Sequence, residues 1–483
     1  MAEMFIGGEW RRARSGATYP VVNPATEEVV DHAPLGGIED VEEAVRVAKE
    51  AFPSWSKKDF EERGEFLRRG VEILKAHREE IVETLTREQG KPLHEAQGEF
   101  DHLLHGLTYY ADLATKIRGS YQPLPSRFGP SYGLIIKRPI GVAAAIVPWN
   151  FPLTLMGTKI GPALVAGNTV VVKPASTTPL AAIKVVGYLN EAGLPPGVLN
   201  IVTGPGRTVG EALVSHPDVR RVAFTGETAT GRRILELSVP HFKRVTLELG
   251  GSDPVIICPD ADLDKAVRGV LIGRFWNAGQ ACLAAKRVYV FEEVYDTFLE
   301  KLLAGVARYE PGEGWVKAER PRIRIGPLHT AKQREEVQAQ LQDALAKGGK
   351  LLYGGKVPEG RERGFFFLPT VVAEPAHDSR VVREETFGPL LPIWKVKDID
   401  EAIRMANDSI YGLGSSIWTY NVKWIHKAAQ EIEAGMTWVN QIHYGYDELP
   451  FGGVKQSGYG KEHGIEALDY YFETKSVVVG DLE

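Results

Sequence analysis

The fold class is decided by five strand-like runs: GVAAAIV (141–147), NTVVVKP (168–174), LNIVTG (199–204), VRRVAFTG (219–226) and KRVTLELG (243–250). Each run is short and apolar, and helical stretches separate the runs. This alternation predicts a parallel α/β sheet. Turn residues follow the runs at Pro148, Lys173-Pro174, Gly204-Pro205-Gly206 and Gly226. Because open α/β sheets hold ligands beyond the carboxyl ends of their strands, we expect a nucleotide site there.

A second α/β region follows and continues to about Phe451. Its strand-like runs are DPVIIC (253–258), AKRVYVF (285–291), GPLLPIW (388–394) and SSIWT (415–419). Nearer the start, apolar positions at helical spacing predict helices from Asp40 and from Phe66 to near Gly90. Two isolated strand-like segments, at 120–139 and in TKSVVVG (474–480), predict an arm that pairs with another subunit, since an exposed strand edge tends to find a partner.

Length, charge and cysteine content exclude several classes of protein. A chain of 483 residues predicts two or three domains or an elaborated α/β unit. The 63 acidic and 57 basic residues are spread along the chain, so a small molecule is a better expected partner than nucleic acid or membrane. The apolar run at 141–147 is too short to span a bilayer, and the first residues lack a secretory signal, so we expect a cytoplasmic location. Two cysteines rule out a disulfide framework.

Cys282 is the candidate nucleophile. It lies in FWNAGQACLAAKR (275–287), among small residues that leave room for a ligand, and a basic pair follows it. Most isolated cysteines are buried and inert, and the apolar run around Cys258 predicts that fate for the other thiol. The local sequence alone leaves both interpretations open for Cys282.

A cysteine nucleophile needs a base and an oxyanion donor, and the chain offers a candidate for each. Glu248 ends an apolar strand just before two glycines, where burial would raise its pKa and suit it to deprotonating water. Asn150 follows a strand and lies between prolines in PWNFP (148–152), which would hold its amide rigid. A satisfied strand-end carboxylate and a turn cap are the structural alternatives for these two residues.

Together these motifs closely resemble those of the aldehyde dehydrogenase superfamily. The set is PWNFP, LELGG (247–251), GQAC (279–282), ETFGP (385–389) and PFGGVKQSG (450–458), and the resemblance runs from about Phe5 to Val479. It implies oxidation of an aldehyde to a carboxylic acid with NAD(P). It also implies a Rossmann-like parallel-sheet cofactor domain (1–119 and 141–249), a second α/β catalytic domain (250–455) and a small β oligomerisation arm (120–140 and 456–483), in a homodimer or homotetramer.

The resemblance assigns catalytic roles to three residues. Cys282 matches the nucleophile that forms a thioester, Glu248 the general base and Asn150 the amide that stabilises the oxyanion. Lys159 and Glu462 match positions of a possible proton relay, although a structural ion pair explains them equally well. No metal site is implied.

The implied cofactor is NADP or NAD. Its site comprises Ile146, Val147, Pro148 and Trp149 along the adenosine side, Lys173 and Ser176 at the ribose, Phe224, Gly226 and Glu227 in the pyrophosphate motif FTGETATG (224–231), Glu385 and Phe387 at the nicotinamide end, and also Gly206 and Leu249. Gly226 and Gly231 open a helix, and the positive N-terminal end of that helix would receive the phosphate.

Two residues depart from the commonest family pattern. Ser176 stands where many NAD-specific members place a ribose-binding glutamate. A carboxylate there would repel a 2′-phosphate, whereas serine and the nearby Lys173 would accept one. We therefore expect this protein to use NADP, with or without a preference over NAD. Glu227 replaces a small hydroxyl residue and puts a negative charge near the phosphate path, so we expect its side chain to turn outward.

The substrate pocket is defined by resemblance only. Its expected walls are Phe151, Thr154, Leu155, Thr158, Trp276, Ala281, Leu283, His443, Tyr444 and Phe451. Thr158 stands where a large aromatic residue often narrows the tunnel, so a medium-sized or branched aldehyde should fit. The absence of arginine at these positions argues against a dedicated dicarboxylic semialdehyde site. His443 and Tyr444 are able to hydrogen-bond a hydroxylated substrate, so glyceraldehyde-like, lactaldehyde-like and aromatic aldehydes remain open.

Three alternatives compete with this interpretation. A coenzyme A-acylating semialdehyde dehydrogenase on the same fold gains nothing from a strong base at Glu248. A non-catalytic binding or structural protein would not need Cys282, Glu248 and Asn150 together. A cysteine hydrolase would need a partner histidine near an activating motif, and the sequence offers no convincing one.

Overall fold

The computed structural model describes residues 1–125, 129, 131–314 and 324–480. Its strands are β1 (Met4–Ile6), β2 (Glu9–Arg11), β3 (Thr18–Val22), β4 (Val29–Pro34), β5 (Ser120–Pro123), β6 (Tyr132–Pro139), β7 (Val142–Ile146), β8 (Thr169–Lys173), β9 (Leu199–Ile201), β10 (Val219–Thr225), β11 (Arg244–Glu248), β12 (Asp253–Ile257), β13 (Ala285–Phe291), β14 (Glu310–Pro311), β15 (Arg324–Ile325), β16 (Lys350–Tyr353), β17 (Thr370–Ala373), β18 (Leu390–Val396), β19 (Gly414–Trp418), β20 (Met436–Val439), β21 (Gly458–Tyr459) and β22 (Phe472–Val479).

Fifteen α-helices accompany these strands in the described ranges. They are α1 (Ile38–Trp55), α2 (Phe60–Ala76), α3 (Arg78–Gln89), α4 (Leu93–Leu113), α5 (Pro152–Ala166), α6 (Leu180–Glu191), α7 (Glu211–Ser215), α8 (Thr228–Ser238), α9 (Leu263–Phe275), α10 (Glu292–Val306), α11 (Ala331–Ala346), α12 (Arg380–Arg383), α13 (Ile399–Asn407), α14 (Val422–Glu431) and α15 (Glu466–Asp469). The helical pattern predicted from Phe66 to Gly90 is two helices, α2 and α3, which meet at His77. The stop near Gly90 is confirmed, and this residue takes the left-handed φ of 97° that favours glycine at a helix end.

The predicted parallel sheet is present as the centre of an eight-stranded sheet with the order β2-β1-β9-β8-β7-β10-β11-β21. The five predicted runs form β7 to β11, and their neighbouring pairs are all parallel. Near the carboxyl ends, Ile146 is in register with both Lys173 and Phe224, and Thr225 is in register with Glu248. The strand ends therefore meet at one edge, where the sequence places the nucleotide site.

Helices pack on both faces of this sheet. Successive residues of β7 enter two different cores: Ala143 and Ala145 pack with helices α2 to α6, whereas Val142 and Ala144 pack with α1 and α7. This alternation is the period of two that a strand imposes on its side chains. Burial on both faces explains why these strands are almost wholly apolar in sequence.

A second sheet of seven strands has the order β16-β17-β18-β13-β12-β19-β20, and the predicted runs form its parallel centre. Cys258, at the end of β12, is a free and fully buried cysteine in the core of this region. The prediction that this thiol belongs to the core is confirmed.

The isolated strands β5, β6 and β22 form a third, antiparallel sheet. Eight residue pairs join β22 to β6, from Phe472 opposite Pro139 to Val479 opposite Tyr132. The range 456–483 is not wholly part of this sheet, because β21 pairs with β11 in the first sheet. The domain boundaries and the pairing of the arm with another subunit remain predictions. Within the described ranges, no helix has the length and apolar character that crossing a membrane requires.

Candidate active site

A cavity of about 660 Å³ opens at the carboxyl edge of the eight-stranded sheet. Nine residues that the sequence analysis singled out line it: Pro148, Trp149, Asn150, Gly226, Glu227, Leu249, Cys282, Glu385 and Phe387. The first six follow β7, β10 and β11, whereas the last three belong to the second α/β region. The cavity therefore lies where the two large sheets meet.

Cys282 lies in the short turn between α9 and β13. The turn is tight, because Asn277 and Ala278 both adopt left-handed backbone angles, with φ of 49° and 54°. The side chain of Cys282 is partly exposed, unlike that of Cys258. The pKa of the Cys282 thiol is raised to about 12: burial is the main cause, the nearby Lys286 ammonium opposes the rise, and the Glu385 and Glu248 carboxylates add to it.

Glu248 ends β11 and is almost fully buried, at 2% exposure. Within the part of the chain that the structure describes, neither of its carboxylate oxygens has a hydrogen-bond partner. Burial raises the pKa of this carboxyl group well above its ordinary value, and the neighbouring Glu462 carboxylate adds to the rise. Glu248 itself does not line the cavity, but the next residue, Leu249, does.

Asn150 is held in place by its own backbone carbonyl as well as by its side chain. The carbonyl oxygen accepts hydrogen bonds from Lys91 Nζ at 2.7 Å and from Asn277 Nδ2 at 3.0 Å. The Asn150 side-chain Nδ2 donates to the backbone oxygen of Gln280 at 3.2 Å, which leaves its second N–H for another acceptor. The amide is therefore fixed next to the turn that carries the Cys282 thiol.

A buried carboxylate, Glu99 on α4, extends this support. Glu99 pairs with the Lys91 ammonium, and its Oε1 accepts hydrogen bonds from the backbone N–H groups of Leu153 at 2.8 Å and Thr154 at 3.4 Å. Both N–H groups belong to the first turn of α5, where no partner exists within the helix, so Glu99 satisfies donors that the helix itself leaves free. The sequence analysis did not find Lys91 or Glu99, because nothing local distinguishes them from solvated charges of a loop and of a helix surface.

Lys159 and Glu462, the possible relay pair, form a buried ion pair with 2.8 Å between Nζ and Oε1. Lys159 Nζ also donates to Thr225 Oγ1 at 2.7 Å, and Thr158 Oγ1 donates to Glu462 Oε2 at 3.0 Å. Thr225 is paired in register with Glu248 on the neighbouring strand. The pair thus lies behind the proposed base, and a relay role remains a prediction beside the structural one.

The N-terminus of α8 opens onto the cavity and suits a pyrophosphate. Gly226, Thr228 and Ala229 line the cavity there, and Glu227 takes the extended conformation of the residue that precedes a helix. A Cβ atom at Gly226 would lie 2.5 Å from the Phe224 ring, so any larger residue at this position would displace that ring. Unsatisfied N–H groups at the start of an eleven-residue helix are the donors that a dinucleotide phosphate requires.

Glu385 and Phe387 occupy the opposite wall. Lys286 Nζ lies 2.7 Å from Glu385 Oε1, and the backbone N–H of Gly251 donates to the same oxygen at 3.0 Å. The Phe387 ring meets the Trp149 ring edge-on, with 5.5 Å between centroids. Both contacts are to Oε1, so Oε2 of Glu385 is the oxygen that could accept a hydrogen bond from a ribose hydroxyl.

His329 is a cavity residue that the sequence analysis missed. Its ring stacks on Trp149 with 4.5 Å between centroids, and its Nε2 lies 2.7 Å from Thr177 Oγ1. Burial lowers the pKa of this imidazole to about 4, so the ring is neutral at physiological pH. The other unpredicted cavity residues are Thr177, Thr225, Thr228, Ala229, Arg232, Gly250, Thr330, Lys332, Gln333, Glu336, Ile410, Tyr411 and Gln456.

The predicted adenosine-side residues lie deeper in the sheet or beside it. Ile146, Val147 and Phe224 are buried, and Gly206 begins a single π-helical turn before α7. Lys173 Nζ donates to the backbone oxygen of Pro174 at 2.9 Å, and burial lowers the pKa of its ammonium to about 8. Ser176 Oγ donates to the Gly204 carbonyl at 2.8 Å.

The predicted substrate-pocket residues fall into three groups: aromatic residues, threonines and other buried or half-buried residues. An aromatic group consists of Phe151, Trp276 and Tyr444: the Trp276 ring centroid lies 5.4 Å from that of Phe151 and 6.2 Å from that of Tyr444. The hydroxyls of Thr154 and Thr158 are engaged by Glu99 and Glu462. The remaining positions are buried or half-buried: Leu155, Ala281, Leu283, His443 and Phe451.

His443 does not lie freely in a pocket. Its Nδ1 is 2.9 Å from the Leu283 carbonyl oxygen and 3.2 Å from Asp253 Oδ2, and its ring stacks on Trp438. These contacts fix the ring against the backbone that follows Cys282. Nδ1 is thus engaged, and Nε2 is the ring nitrogen of His443 that would hydrogen-bond a hydroxylated substrate.

Comparison with known proteins identifies the family. The model of the aldehyde dehydrogenase family matches residues 10–477. This chain belongs to the aldehyde dehydrogenase family. Like its relatives, this aldehyde dehydrogenase is an NAD(P)-dependent oxidoreductase that converts an aldehyde to a carboxylic acid, as the sequence predicts, and the coenzyme A-acylating alternative is not favoured.

The relatives match over almost their full length. A glutarate-semialdehyde dehydrogenase of Pseudomonas putida is 40% identical over 99% of this aldehyde dehydrogenase and 97% of the relative. A succinate-semialdehyde dehydrogenase of Escherichia coli, whose name specifies NADP(+), is 38% identical over 99% and 98% of the two chains. A solved structure of 3,6-anhydro-L-galactose dehydrogenase in complex with NAP has a TM-score of 0.95 and 40% identity over 99% of both chains. The predicted fold class, with a Rossmann-like cofactor sheet and a second α/β region, is confirmed.

Proposed function

We propose that this aldehyde dehydrogenase works through a thioester on Cys282, with Asn150 as the oxyanion donor and Glu248 as the base. The observation that carries the proposal is that one cavity is lined by Cys282, Asn150 and the first turn of α8. Glu248 lies one residue from the same cavity and has free carboxylate oxygens in the described structure. A thiol, an amide donor and a base around one reacting carbon are what acyl transfer needs.

The first step is attack of the thiol on the aldehyde. Because burial raises the pKa of the Cys282 thiol to about 12, the thiol is protonated at neutral pH and passes its proton to a base as the sulfur adds to the carbonyl carbon. Glu248 is suited to accept this proton, since burial also raises the pKa of its carboxyl group. The free N–H of the Asn150 amide stabilises the oxyanion that forms.

The second half of the reaction releases the acid. Bound NAD(P)+ supplies the hydride acceptor, so that the carbon attached to the sulfur becomes a thioester. Glu248 first releases to solvent the proton that it took from the thiol. It then takes a proton from water, and the resulting hydroxide adds to the thioester carbon while Asn150 again stabilises the oxyanion. Collapse of this intermediate breaks the C–S bond and releases the carboxylic acid, and the leaving thiolate takes the proton from Glu248, which restores the thiol.

NADP is the proposed preferred cofactor, on the basis of Ser176. The residues that would hold the dinucleotide are Trp149, Lys173, Ser176, the first turn of α8 from Gly226, and Phe387. Serine places no carboxylate at the ribose, and Lys173, three residues earlier in the chain, carries an ammonium group that would attract a 2′-phosphate. One relative is named for NADP(+), and one solved relative contains NAP.

A medium-sized aldehyde with hydroxyl or aromatic character is the proposed substrate. The aromatic group Phe151, Trp276 and Tyr444 offers apolar ring faces, and no arginine stands among the predicted pocket residues. Relatives named for benzaldehyde and lactaldehyde represent these two chemistries. We also propose a homodimer or homotetramer in which the β5-β6-β22 sheet pairs with another subunit, because its strands expose apolar side chains such as Tyr121 and Val478. A cytoplasmic location remains the expectation from the sequence.

The decisive experiment compares Cys282→Ala with the matched variant Cys258→Ala. Formation of NAD(P)H is followed at 340 nm with aliphatic, hydroxylated, aromatic and semialdehyde substrates, each cofactor, and with or without coenzyme A. We expect Cys282→Ala to bind cofactor but not oxidise, Cys258→Ala to remain active, and coenzyme A to be unnecessary. Persistent turnover by Cys282→Ala would remove this residue from the mechanism.

A further inference from the structure

An imidazole and carboxylate cluster outside the cavity is formed by three separate segments of the chain. His102 and His105 lie one turn apart on α4, Asp447 lies in the loop after β20, and His463 follows β21. The Asp447 carboxylate is at the centre: its Oδ1 lies 2.8 Å from His463 Nδ1, and its Oδ2 lies 2.7 Å from His105 Nδ1 and 3.5 Å from His102 Nε2. We call these four residues the Asp447 cluster.

We propose that the Asp447 cluster binds a divalent transition-metal ion of the zinc class through His102, Asp447 and His463. One ligand atom from each of these residues lies within 4.8 Å of the other two. Ligands at about 2.0–2.1 Å from a tetrahedral zinc ion lie roughly 3.4 Å from one another. Only a small movement of the partly exposed His102 ring is therefore needed, and imidazole with carboxylate is a ligand set that suits zinc, copper and nickel.

The surroundings of the cluster support an ion more than an isolated hydrogen-bond network. Asp447 and His463 are buried, with 1% and 3% exposure, so water does not solvate the carboxylate freely. The other ring nitrogen of His102, Nδ1, lies 3.4 Å from the Tyr444 hydroxyl. Metal-binding histidines characteristically have their second nitrogen engaged in this way, which orients the ring.

Two backbone features bring the ligands together. His463 adopts a left-handed φ of 54°, which is uncommon for a residue other than glycine and is characteristic of functional sites. A Cβ atom at Gly106 would lie 3.2 Å from Asp447 Oδ1, so the missing side chain lets α4 approach the carboxylate. His105, with a 57% exposed side chain, can complete the coordination or leave a position for water.

The test measures zinc bound by the full-length, tag-free chain carrying Cys282→Ala, because a free cavity thiol would itself bind zinc. Equilibrium dialysis with zinc chloride, followed by elemental analysis, should give one ion per chain. Asp447→Asn and His102→Ala should each weaken binding by about tenfold or more. The matched control is His426→Ala, which removes an exposed histidine on α14 and should change nothing.

Thermal unfolding gives a second measurement. Zinc should raise the unfolding temperature of the Cys282→Ala chain, and should not raise that of its Asp447→Asn form, because an ion that binds only the folded state stabilises it by mass action. Circular dichroism without metal checks that both variants fold. If Asp447→Asn does not fold, His102→Ala replaces it in this measurement, because His102 is partly exposed and its substitution disturbs the core less. Failure to retain zinc, or retention unchanged in both variants, would overturn the proposal. Neither result depends on catalysis, since the chain that is tested lacks the proposed nucleophile.

Discussion

The ammonium group of Lys91 donates a 2.7 Å hydrogen bond to the backbone carbonyl of Asn150. Both residues are buried, and the Glu99 carboxylate pairs with the same ammonium. Because the Asn150 amide is the proposed oxyanion donor, Lys91 is a positioning residue: it fixes the donor and does not itself reach the reacting carbon. Two segments distant from Asn150 in sequence, one with Lys91 and Glu99 and the other with Asn277 and Gln280, thus hold one catalytic group.

Lys91→Met should lower kcat/KM by about 10- to 100-fold, because small displacements of a catalytic group are costly. It should also destabilise the fold by about 3–5 kcal/mol, since Glu99 would be left as an unpaired buried charge. Steady-state kinetics and urea unfolding measure the two effects. The double variant Lys91→Met/Glu99→Gln should recover stability but not activity. Wild-type kcat/KM in the folded single variant would contradict the positioning role.

Glu248→Gln should slow steady-state turnover by about 100- to 10,000-fold, the usual contribution of a general base. If the base acts mainly in hydrolysis, the first turnover should still release NAD(P)H as a burst before the slow phase. Stopped-flow absorbance at 340 nm separates the two phases. Glu236→Gln, an exposed glutamate on α8, is the matched control. Unchanged turnover in Glu248→Gln would exclude Glu248 as the base.

The rate of oxidation should rise with pH through the neutral range. Burial raises the pKa of Glu248 above its ordinary value, so the carboxylate that must accept a proton forms only at higher pH than in a free glutamate. The Cys282 thiol, with its pKa raised to about 12, also loses its proton more readily as pH increases. A profile of kcat/KM from pH 5 to pH 9 tests this, and a rate that falls across the neutral range would contradict it.

Ser176→Glu should shift cofactor use from NADP towards NAD. The new carboxylate would repel the 2′-phosphate, so KM for NADP should rise by about 10- to 100-fold, equivalent to roughly 1.4–2.7 kcal/mol. Ser176→Ala removes the hydroxyl without adding charge and should change the ratio much less. Cofactor titrations with one saturating aldehyde give both constants. An unaltered NADP/NAD ratio in Ser176→Glu would show that Ser176 does not face the ribose.

Much of the frame follows from local sequence. The strands β7 to β13 can be predicted from the sequence, because burial on both faces makes each of them a short apolar run and turn residues mark their ends. Asn150 and Cys282 stand in motifs distinctive enough to name, and the structure brings both to one cavity. Their chemical roles, and that of Glu248, remain predictions until the variants are measured.

The supporting residues could not be predicted in the same way. In sequence, Lys91 looks like an ordinary loop charge and Glu99 like an ordinary helix-surface charge, and only the folded chain buries them as a pair beside the start of α5. His329 and the Asp447 cluster depend likewise on contacts between segments hundreds of residues apart. Hydrophobic periodicity reports which face of an element is buried, but it does not report which element will cover that face.

Gly452 has a consequence for where the proposed base can lie. A Cβ atom there would lie 2.5 Å from Glu248 Oε1, so the carboxyl group occupies space that only glycine leaves free. Alanine at position 452 would push this carboxyl group out of its present position. The two proton transfers proposed for Glu248 thus depend on a residue that has no functional group of its own.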